Sequence, residues 1–172
     1  MIYSHWTSPV GALLLVSGEA GLAEISFPRD GHARQPQPGW QRDDAALFEV
    51  SSQLRAYFAG ELESFHLQLA PDGTLFQQGV WKELLKIPYG ETISYGELAR
   101  RIGNPKASRA VGLANGSNPI PIIIPCHRVI GSNGKLTGYG GGLPTKEKLL
   151  ALEKRQLRLL QGDSGEKSPL LR

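Results

Sequence analysis

The stretch Asn118-Pro-Ile-Pro-Ile-Ile-Ile-Pro-Cys-His-Arg-Val-Ile130 organises the rest of the chain. It contains the only cysteine of the 172 residues, Cys126, with a proline before it and His127 after it. Residues 120–124 are isoleucine apart from one proline, and such an apolar, β-branched run predicts a buried segment. The sequence therefore predicts a thiol at the end of a buried segment, beside a histidine.

Cys126 has two interpretations on chemistry alone. Free cysteine is among the most buried residue types and is usually inert, which fits the neighbouring isoleucines. A thiol becomes a nucleophile as its thiolate, and basic neighbours or a helix N-terminus lower its pKa, which fits His127 and Arg128. The residues by themselves leave both interpretations open.

Length and composition indicate an ordinary globular protein, with one large domain or two small ones. A single cysteine excludes an internal disulfide and a cysteine-based zinc cluster, and the other histidines lack ligand-like spacing, so we expect no metal. The N-terminus has no signal-peptide pattern and no apolar run reaches membrane-spanning length. Together with the lone thiol, this predicts a soluble, cytoplasmic protein.

The net charge of +3 is unevenly distributed. Residues 1–73 carry four arginines against nine acidic residues, a net of −5, whereas residues 74–160 carry thirteen basic against five acidic residues, a net of +8. A basic half joined to an acidic half is typical of a polyanion-binding domain beside a non-binding one. A solvated basic surface without a partner would give the same division of charge.

Residues 1–70 are predicted to form a small α/β scaffold domain. Two short apolar runs, 11–17 and 21–27, have a hairpin-like spacing and predict strands, and another strand is predicted at 65–70. The stretch 28–40 is rich in Pro, Gly, Gln and Arg and predicts a mobile loop.

A helix is predicted after that loop. It begins at about Asp43, and its apolar residues recur every three or four positions from Leu47 to Phe58. Asp43 and Asp44 suit the positive N-terminal end of the helix dipole, and Gly60 ends the helix.

Residues 74–160 are predicted to form a second domain, and residues 161–172 a disordered tail. Thr74 and Gln77 have the spacing of a capping box at the start of a helix. The last helix of this domain is predicted at 145–160 and carries Glu153 among leucines.

Two short helices in this half have the pattern of a helix-turn-helix. Ser94 and Glu97 predict a second capping box, residues 103–105 break that helix, and residues 106–114 begin another. The second helix has small side chains that are poor base readers but permit close approach to a groove.

The sequence Pro125-Cys126-His127-Arg128-Val129, preceded by Asn118-Pro119, resembles the active-site signature of the O6-alkylguanine-DNA alkyltransferases, also called methylated-DNA–protein-cysteine methyltransferases. Phe76-Gln-x-x-Val-Trp81, followed by Ile87-Pro-Tyr-Gly-Glu-Thr92, is similar to the segment that leads into the family's DNA-binding motif. The resemblance is close over roughly residues 74–155 and looser before them.

The resemblance implies an α/β fold with a ribonuclease H-like N-terminal domain and a mainly helical C-terminal domain with a winged-helix-like helix-turn-helix. It implies direct repair of O6-alkylguanine in double-stranded DNA by irreversible, single-turnover transfer of the alkyl group to cysteine. O4-alkylthymine stays open as a further substrate. No cofactor is implied because the lesion itself is the alkyl donor. No membrane and no obligate protein partner are implied, and contacts between copies clustered on DNA stay open.

The family's catalytic roles carry over residue by residue. Cys126 would attack the alkyl carbon, His127 would take the thiol proton and Glu153 would orient the imidazole. Asn118 would hold the turn, and Tyr95 would hydrogen-bond guanine N3. Relatives often read His-Glu-Gly around the carboxylate where this chain reads Leu-Glu-Lys.

The family's DNA contacts also carry over. Arg109 would occupy the space of the extruded nucleotide. The other residues expected to contact DNA or the base are Ala107, Ser108, Ala110, Arg128, Val129, Tyr139 and Gly140. Relatives with serine at the position of Gly140 would have a differently sized pocket.

Three functions from other classes compete with this one. A non-catalytic lesion-binding relative would lack Cys126. A helix-turn-helix regulator would carry base-reading side chains on its second helix. A cysteine hydrolase using Cys126, His127 and Glu153 would turn over without DNA, but would leave Arg109 and the basic half unexplained.

Overall fold

The first half of the molecule is a four-stranded sheet covered by a helix, and the computed structural model describes residues 1–160 and 162. Strands β1 (Ile2–Ser8), β2 (Gly11–Gly18) and β3 (Gly21–Ser26) form an antiparallel meander. Strand β4 (Gln41–Arg42) pairs in parallel with β1, which gives the order β3-β2-β1-β4. Helix α1 (Phe48–Phe58) packs on β1. The predicted hairpin is confirmed.

Helix α1 begins five residues later than the predicted start at Asp43. The reason is that both aspartates are used in local bonds outside the helix. Asp43 accepts the backbone N–H of Ala46 at 2.9 Å, and Asp44 accepts the hydroxyl of Ser4 at 2.7 Å. The helix ends as expected, with Gly60 at a φ of 75° that favours glycine.

The prediction of a strand at 65–70 is wrong in its length. Only Leu69 forms a bridge, to Leu22 of β3. The rest of this stretch forms no β-bridge with the edge of the sheet. The stretch 28–40 is a loop with one bridge between Arg29 and His32, and its predicted mobility stays a prediction.

The second half begins with three helices, α2 (Leu75–Leu84), α3 (Tyr95–Arg101) and α4 (Ser108–Gly116). Both halves of the first predicted capping box are present, with Thr74 and Gln77 bonding each other's backbone N–H. The indole N–H of Trp81 donates to the carbonyl of Ala114 at 2.9 Å and holds α2 against α4. The helix-turn-helix of α3 and α4 is confirmed.

The second predicted capping box is only half formed. Ser94 accepts the backbone N–H of Glu97 at 3.1 Å, as expected. The Glu97 carboxylate instead pairs with Arg100 and Arg101 on the same helix, so it does not reach back to the cap.

Two further elements position the residues around Cys126. Strand β5 (Ile93–Ser94) pairs in parallel with β6 (Val129–Ile130), which holds the start of α3 beside the end of the 118–130 stretch. Helix α5 (Leu143–Leu160) packs on the 3-10 turn Cys126–Arg128. The tail predicted at 161–172 lies outside the described residues apart from residue 162.

One apolar core runs through both halves. The backbone N–H of Ile25 on β3 donates to the carbonyl of Pro119 at 2.9 Å, which joins the sheet directly to the 118–130 stretch. Within the described part of the chain, no helix has the length and apolar character needed to cross a membrane.

Candidate active site

The turn that presents Cys126 is buried and internally bonded. Asn118 accepts the N–H of Ile120 at 3.0 Å and donates to the carbonyl of Ile124 at 2.8 Å, as expected for a residue that holds the turn. Ile122 has a φ of 73°. A left-handed β-branched residue costs about 1–3 kcal/mol and persists only where its surroundings determine it, so this turn is held under strain.

Asn115, at the end of α4, is a site residue that the sequence analysis missed. It is buried, and its amide N–H donates to the carbonyl of Cys126 at 3.3 Å. Its carbonyl oxygen is buried without a hydrogen-bond partner among the described residues. Only the helix-turn-helix packing brings α4 to this turn, so sequence spacing gave no signal for it.

Cys126 lies in the wall of a cavity of about 260 Å³ between the two halves of the molecule. The second half supplies Asn118, Tyr139 and Gly140 to its lining, together with Asn115. The first half supplies residues of β3 and of the loop after it, which are Ile25, Ser26, Phe27, Pro28, Arg29 and Arg34. The cavity is slightly below the usual ligand-site range of about 300–1,000 Å³, which suits a small ligand.

The glycine-rich loop forms one side of this cavity. Tyr139 packs edge-on against Phe27 with ring centroids 5.6 Å apart, and its hydroxyl has no partner among the described residues. A Cβ at Gly141 would lie 2.9 Å from the Phe27 ring, so this close approach requires glycine. A Cβ at Gly140 would meet open space, so nothing in the described residues blocks a side chain from starting there.

Glu153 lies behind the turn and accepts hydrogen bonds from three residues. His127 Nε2 is 3.1 Å from Oε1, Arg128 Nη2 is 2.6 Å from Oε1, and the Tyr57 hydroxyl is 3.2 Å from the same oxygen. Burial would raise the pKa of Glu153, but the bonds from His127 and Arg128 outweigh it and lower the pKa to about 2. Glu153 is therefore an acceptor-only carboxylate at neutral pH.

The tautomer of His127 follows from that partner. An ionised carboxylate can only accept, so Nε2 carries the proton and Nδ1 carries a free lone pair. Nδ1 is buried without a partner among the described residues. Burial lowers the pKa of His127 despite the opposing effect of Glu153. The imidazole is thus neutral and oriented, with Nδ1 available to take a proton.

Cys126 is protonated in the resting protein. Burial raises the pKa of its thiol to about 11, and the hydrogen bond from Asn118 and the charge of Lys146 offset this only in part. The expected lowering by basic neighbours is outweighed because His127 is neutral and the charge of Arg128 is paired with Glu153. The thiol must therefore lose its proton as it reacts.

Lys146, in the first turns of α5, is a second residue that the sequence analysis missed. Its ammonium is buried and donates to the carbonyls of Val129 at 2.7 Å and Thr137 at 3.0 Å. It thereby ties β6, the strand after the Cys126–Arg128 turn, to the glycine-rich loop. A lysine near a helix start resembles an ordinary surface residue in sequence, so nothing there distinguished it.

Arg128, predicted to contact DNA, is buried and paired with Glu153, and its DNA contact stays a prediction. Its guanidinium is buried, with Nη1 donating to the carbonyl of Ile87 at 2.6 Å and the other nitrogens to Glu153. It also lies over the ring of Tyr89, 5.6 Å from the centroid. Nε, Nη1 and Nη2 are thus each bonded within the protein.

Val129 is also buried, and its backbone groups are engaged. Its N–H bonds to the carbonyl of Cys126, and its own carbonyl accepts from Lys146. Tyr95 does not line the cavity; its hydroxyl accepts a bond from Thr137 at 3.0 Å.

The residues predicted to approach DNA lie together at the start of α4. Arg109 and Ala110 are exposed, and Ala107 and Ser108 are partly covered. Within residues 1–160, Arg109 has no carboxylate partner, so its guanidinium is free to meet an external group.

Comparison with known proteins identifies the family. Residues 1–71 match the family described as 6-O-methylguanine DNA methyltransferase, ribonuclease-like domain, and residues 75–155 match the DNA binding domain of the same description. The chain belongs to the 6-O-methylguanine DNA methyltransferase family. The fold class predicted from the sequence is confirmed.

Relatives in this family match over nearly their whole length. A methylated-DNA–protein-cysteine methyltransferase of Methanosarcina acetivorans is 56% identical over 153 residues, 89% of this chain and 98% of the relative. A protein of the same name from Mycobacterium tuberculosis is 54% identical over 152 residues, 88% of this chain and 92% of the relative. The crystal structure of Mycobacterium tuberculosis OGT in complex with DNA has a TM-score of 0.84 and 52% identity, covering 91% of this chain and 94% of that one.

Proposed function

We propose that the chain repairs DNA by transferring the alkyl group of O6-alkylguanine to Cys126, once per molecule. The observation that supports this function most is the position of Cys126 in the wall of a cavity, with the His127–Glu153 pair behind it. The relatives named as methylated-DNA–protein-cysteine methyltransferases support the same reaction.

The transfer is a displacement at the alkyl carbon. Nδ1 of His127 takes the thiol proton, through an intervening water, as sulfur forms its bond to that carbon. The bond from carbon to guanine O6 breaks, and its electron pair remains on the purine. The purine takes up a proton at N1 from water, and the imidazolium of His127 returns one to water, so the proton count balances. The product is a thioether, which is not readily reversed, so each molecule acts once.

The base must leave the duplex to reach a buried thiol. We assign the approach to DNA to the start of α4, where Arg109 would fill the space left by the extruded nucleotide. Tyr139 and Gly140, in the cavity wall with Cys126, would lie against the purine. Tyr95, whose hydroxyl accepts from Thr137, keeps its own proton to donate to guanine N3.

Intact-protein mass after mixing with a duplex that contains one O6-methylguanine tests this function. We expect a gain of one methylene in mass, limited to one equivalent and absent in Cys126→Ala. Binding without any mass change would leave a lesion-binding protein instead. The same assay with O4-methylthymine decides whether that base is a second substrate.

A further inference from the structure

Tyr57 connects the N-terminal half to the catalytic carboxylate. It lies in the last turn of α1, is fully buried, and its hydroxyl is 3.2 Å from Oε1 of Glu153, 96 residues away in sequence. Of the three residues that donate to Glu153 in the described part of the chain, Tyr57 alone belongs to the N-terminal half. Its bond ends on the same oxygen that faces His127.

The Tyr57 hydroxyl is a permanent donor. Burial, with a contribution from the charge of Glu153, raises the pKa of Tyr57 well above its ordinary value of 10.0, so the phenol keeps its proton. Glu153 is ionised and can only accept. The direction of the bond is thus fixed from tyrosine to carboxylate.

Core packing does not explain this hydroxyl. The Tyr57 ring is enclosed by Phe58, Phe65 and Tyr89, with ring centroids 5.3, 5.4 and 6.2 Å away. A phenylalanine would fill the same space without the cost of burying a hydroxyl. The oxygen is useful only through the group that it touches, and that group is Glu153.

Glu153 needs more than Arg128 to hold a single orientation. The terminal torsion of a glutamate is broad, so the carboxylate can rotate while Arg128 still contacts either oxygen. Tyr57, donating from another element, holds the carboxylate plane at the rotation that presents an oxygen to His127. We infer that Tyr57 is a positioning residue for alkyl transfer, by which the N-terminal half orients the Glu153–His127 pair.

This inference rests on the proposed function, and its test compares two matched tyrosine variants. Tyr57→Phe removes only the donor to Glu153, and the retained ring keeps α1 packed. Tyr89→Phe is the control, because Tyr89 lies in the same aromatic cluster but its hydroxyl has no partner among the described residues. Methyl transfer from an O6-methylguanine duplex is timed for each variant over a range of pH, and thermal unfolding confirms that each is folded.

We expect Tyr57→Phe to react about tenfold more slowly, in line with loss of a hydrogen bond to a charged group, and Tyr89→Phe to react like the unmodified chain. The acidic limb of the rate profile should move to higher pH in Tyr57→Phe. With one donor fewer, the Glu153 charge is less dispersed and favours imidazolium, so His127 loses its proton only at higher pH. The charged and titratable groups that face this pair are Cys126, Arg128, Lys146, Tyr57, Tyr89 and Tyr139.

A double-mutant cycle separates positioning from a general structural role. If Tyr57 acts through Glu153, Tyr57→Phe should have little further effect on the rate in a Glu153→Gln background. An unchanged rate and pH profile in Tyr57→Phe, or an equal loss in both backgrounds, would overturn the inference. Failure of the unmodified chain to accept the methyl group would instead overturn the proposed function.

Discussion

Glu153 carries its negative charge in a site that water does not reach. Hydrogen bonds from His127 and Arg128 overcome the effect of burial and lower its pKa from 4.5 to about 2. The folded state therefore binds this proton less readily than the unfolded chain. The resulting stabilisation, about 3 kcal/mol, is complete above the ordinary pKa of 4.5 and is lost as the pH falls toward 2. The lowered pKa of His127 acts in the same direction, because only the unfolded chain readily takes up that proton.

In Glu153→Gln, the free energy of unfolding should fall less steeply as the pH is lowered. At neutral pH the substitution should also cost about 3–5 kcal/mol, because the buried Arg128 loses its counter-charge. Urea unfolding at a series of pH values measures both effects. Glu97→Gln is the control, since that carboxylate forms ion pairs at the surface, where solvent screens them, and should contribute little to stability. Parallel pH profiles for the two variants would contradict this account of Glu153.

The Cys126 thiol should react slowly with small alkylating reagents at neutral pH. Its pKa of about 11 leaves little thiolate, and both the thiol and the neighbouring His127 are buried. Alkylation by iodoacetamide, followed by intact mass, should accelerate through alkaline pH and should become fast once urea unfolds the chain. A fast reaction that is already complete below neutral pH would show that the resting thiol is ionised.

The sequence names Cys126, His127 and Glu153 as one group because the first two are adjacent in a recognisable motif and the third completes it by resemblance. It cannot name Tyr57, whose contribution depends on a contact across 96 residues. The same limit applies to the ion pair between Arg128 and Glu153, which lie 25 residues apart and meet only in the folded chain.

At the scale of elements, helix α4 combines small side chains with one exposed arginine. Arg109→Ala should slow methyl transfer in duplex DNA by about tenfold or more, since unstacking a base costs a few kcal/mol that this side chain would help to offset. Transfer from free O6-benzylguanine requires no unstacking and should be nearly unchanged. Both rates are read from the mass of the product. Lys106→Ala, which removes another exposed charge just before α4, should affect the duplex reaction less. Equal losses on both substrates would remove the role in base extrusion.

The helices were predictable where the local chemistry is self-contained. Thr74 and Gln77 satisfy each other's backbone, so the start of α2 is encoded within four residues. Asp43 is also a residue that favours a helix start, but the sheet bonds this segment instead. The Asp43 side chain accepts from the N–H of Ala46, and its own N–H donates to the carbonyl of Tyr3 on β1. Because a bond to a distant strand leaves no trace in the sequence period, the sequence predicts the start of α1 too early.

At the scale of the whole molecule, the charge division gives a prediction about DNA binding. Residues 74–160 carry a net charge of +8 and include the helix-turn-helix, whereas residues 1–73 carry −5. Affinity for duplex should therefore fall with salt, with the logarithm of the binding constant decreasing by about 0.9 per phosphate neutralised for each tenfold rise in salt. Titration of the Cys126→Ala variant with unmodified duplex measures this slope without alkyl transfer.

Two matched variants locate the face responsible for that slope. Lys106→Gln removes an exposed charge beside α4, and Arg55→Gln removes one from α1 in the acidic half. If DNA lies against the helix-turn-helix, the first variant should reduce the salt slope by up to about one counter-ion, while the second should leave it unchanged because that surface meets no phosphate. A slope that changes equally in both variants would indicate attraction by net charge alone, and a flat response in the parent protein would rule out a basic DNA-binding face.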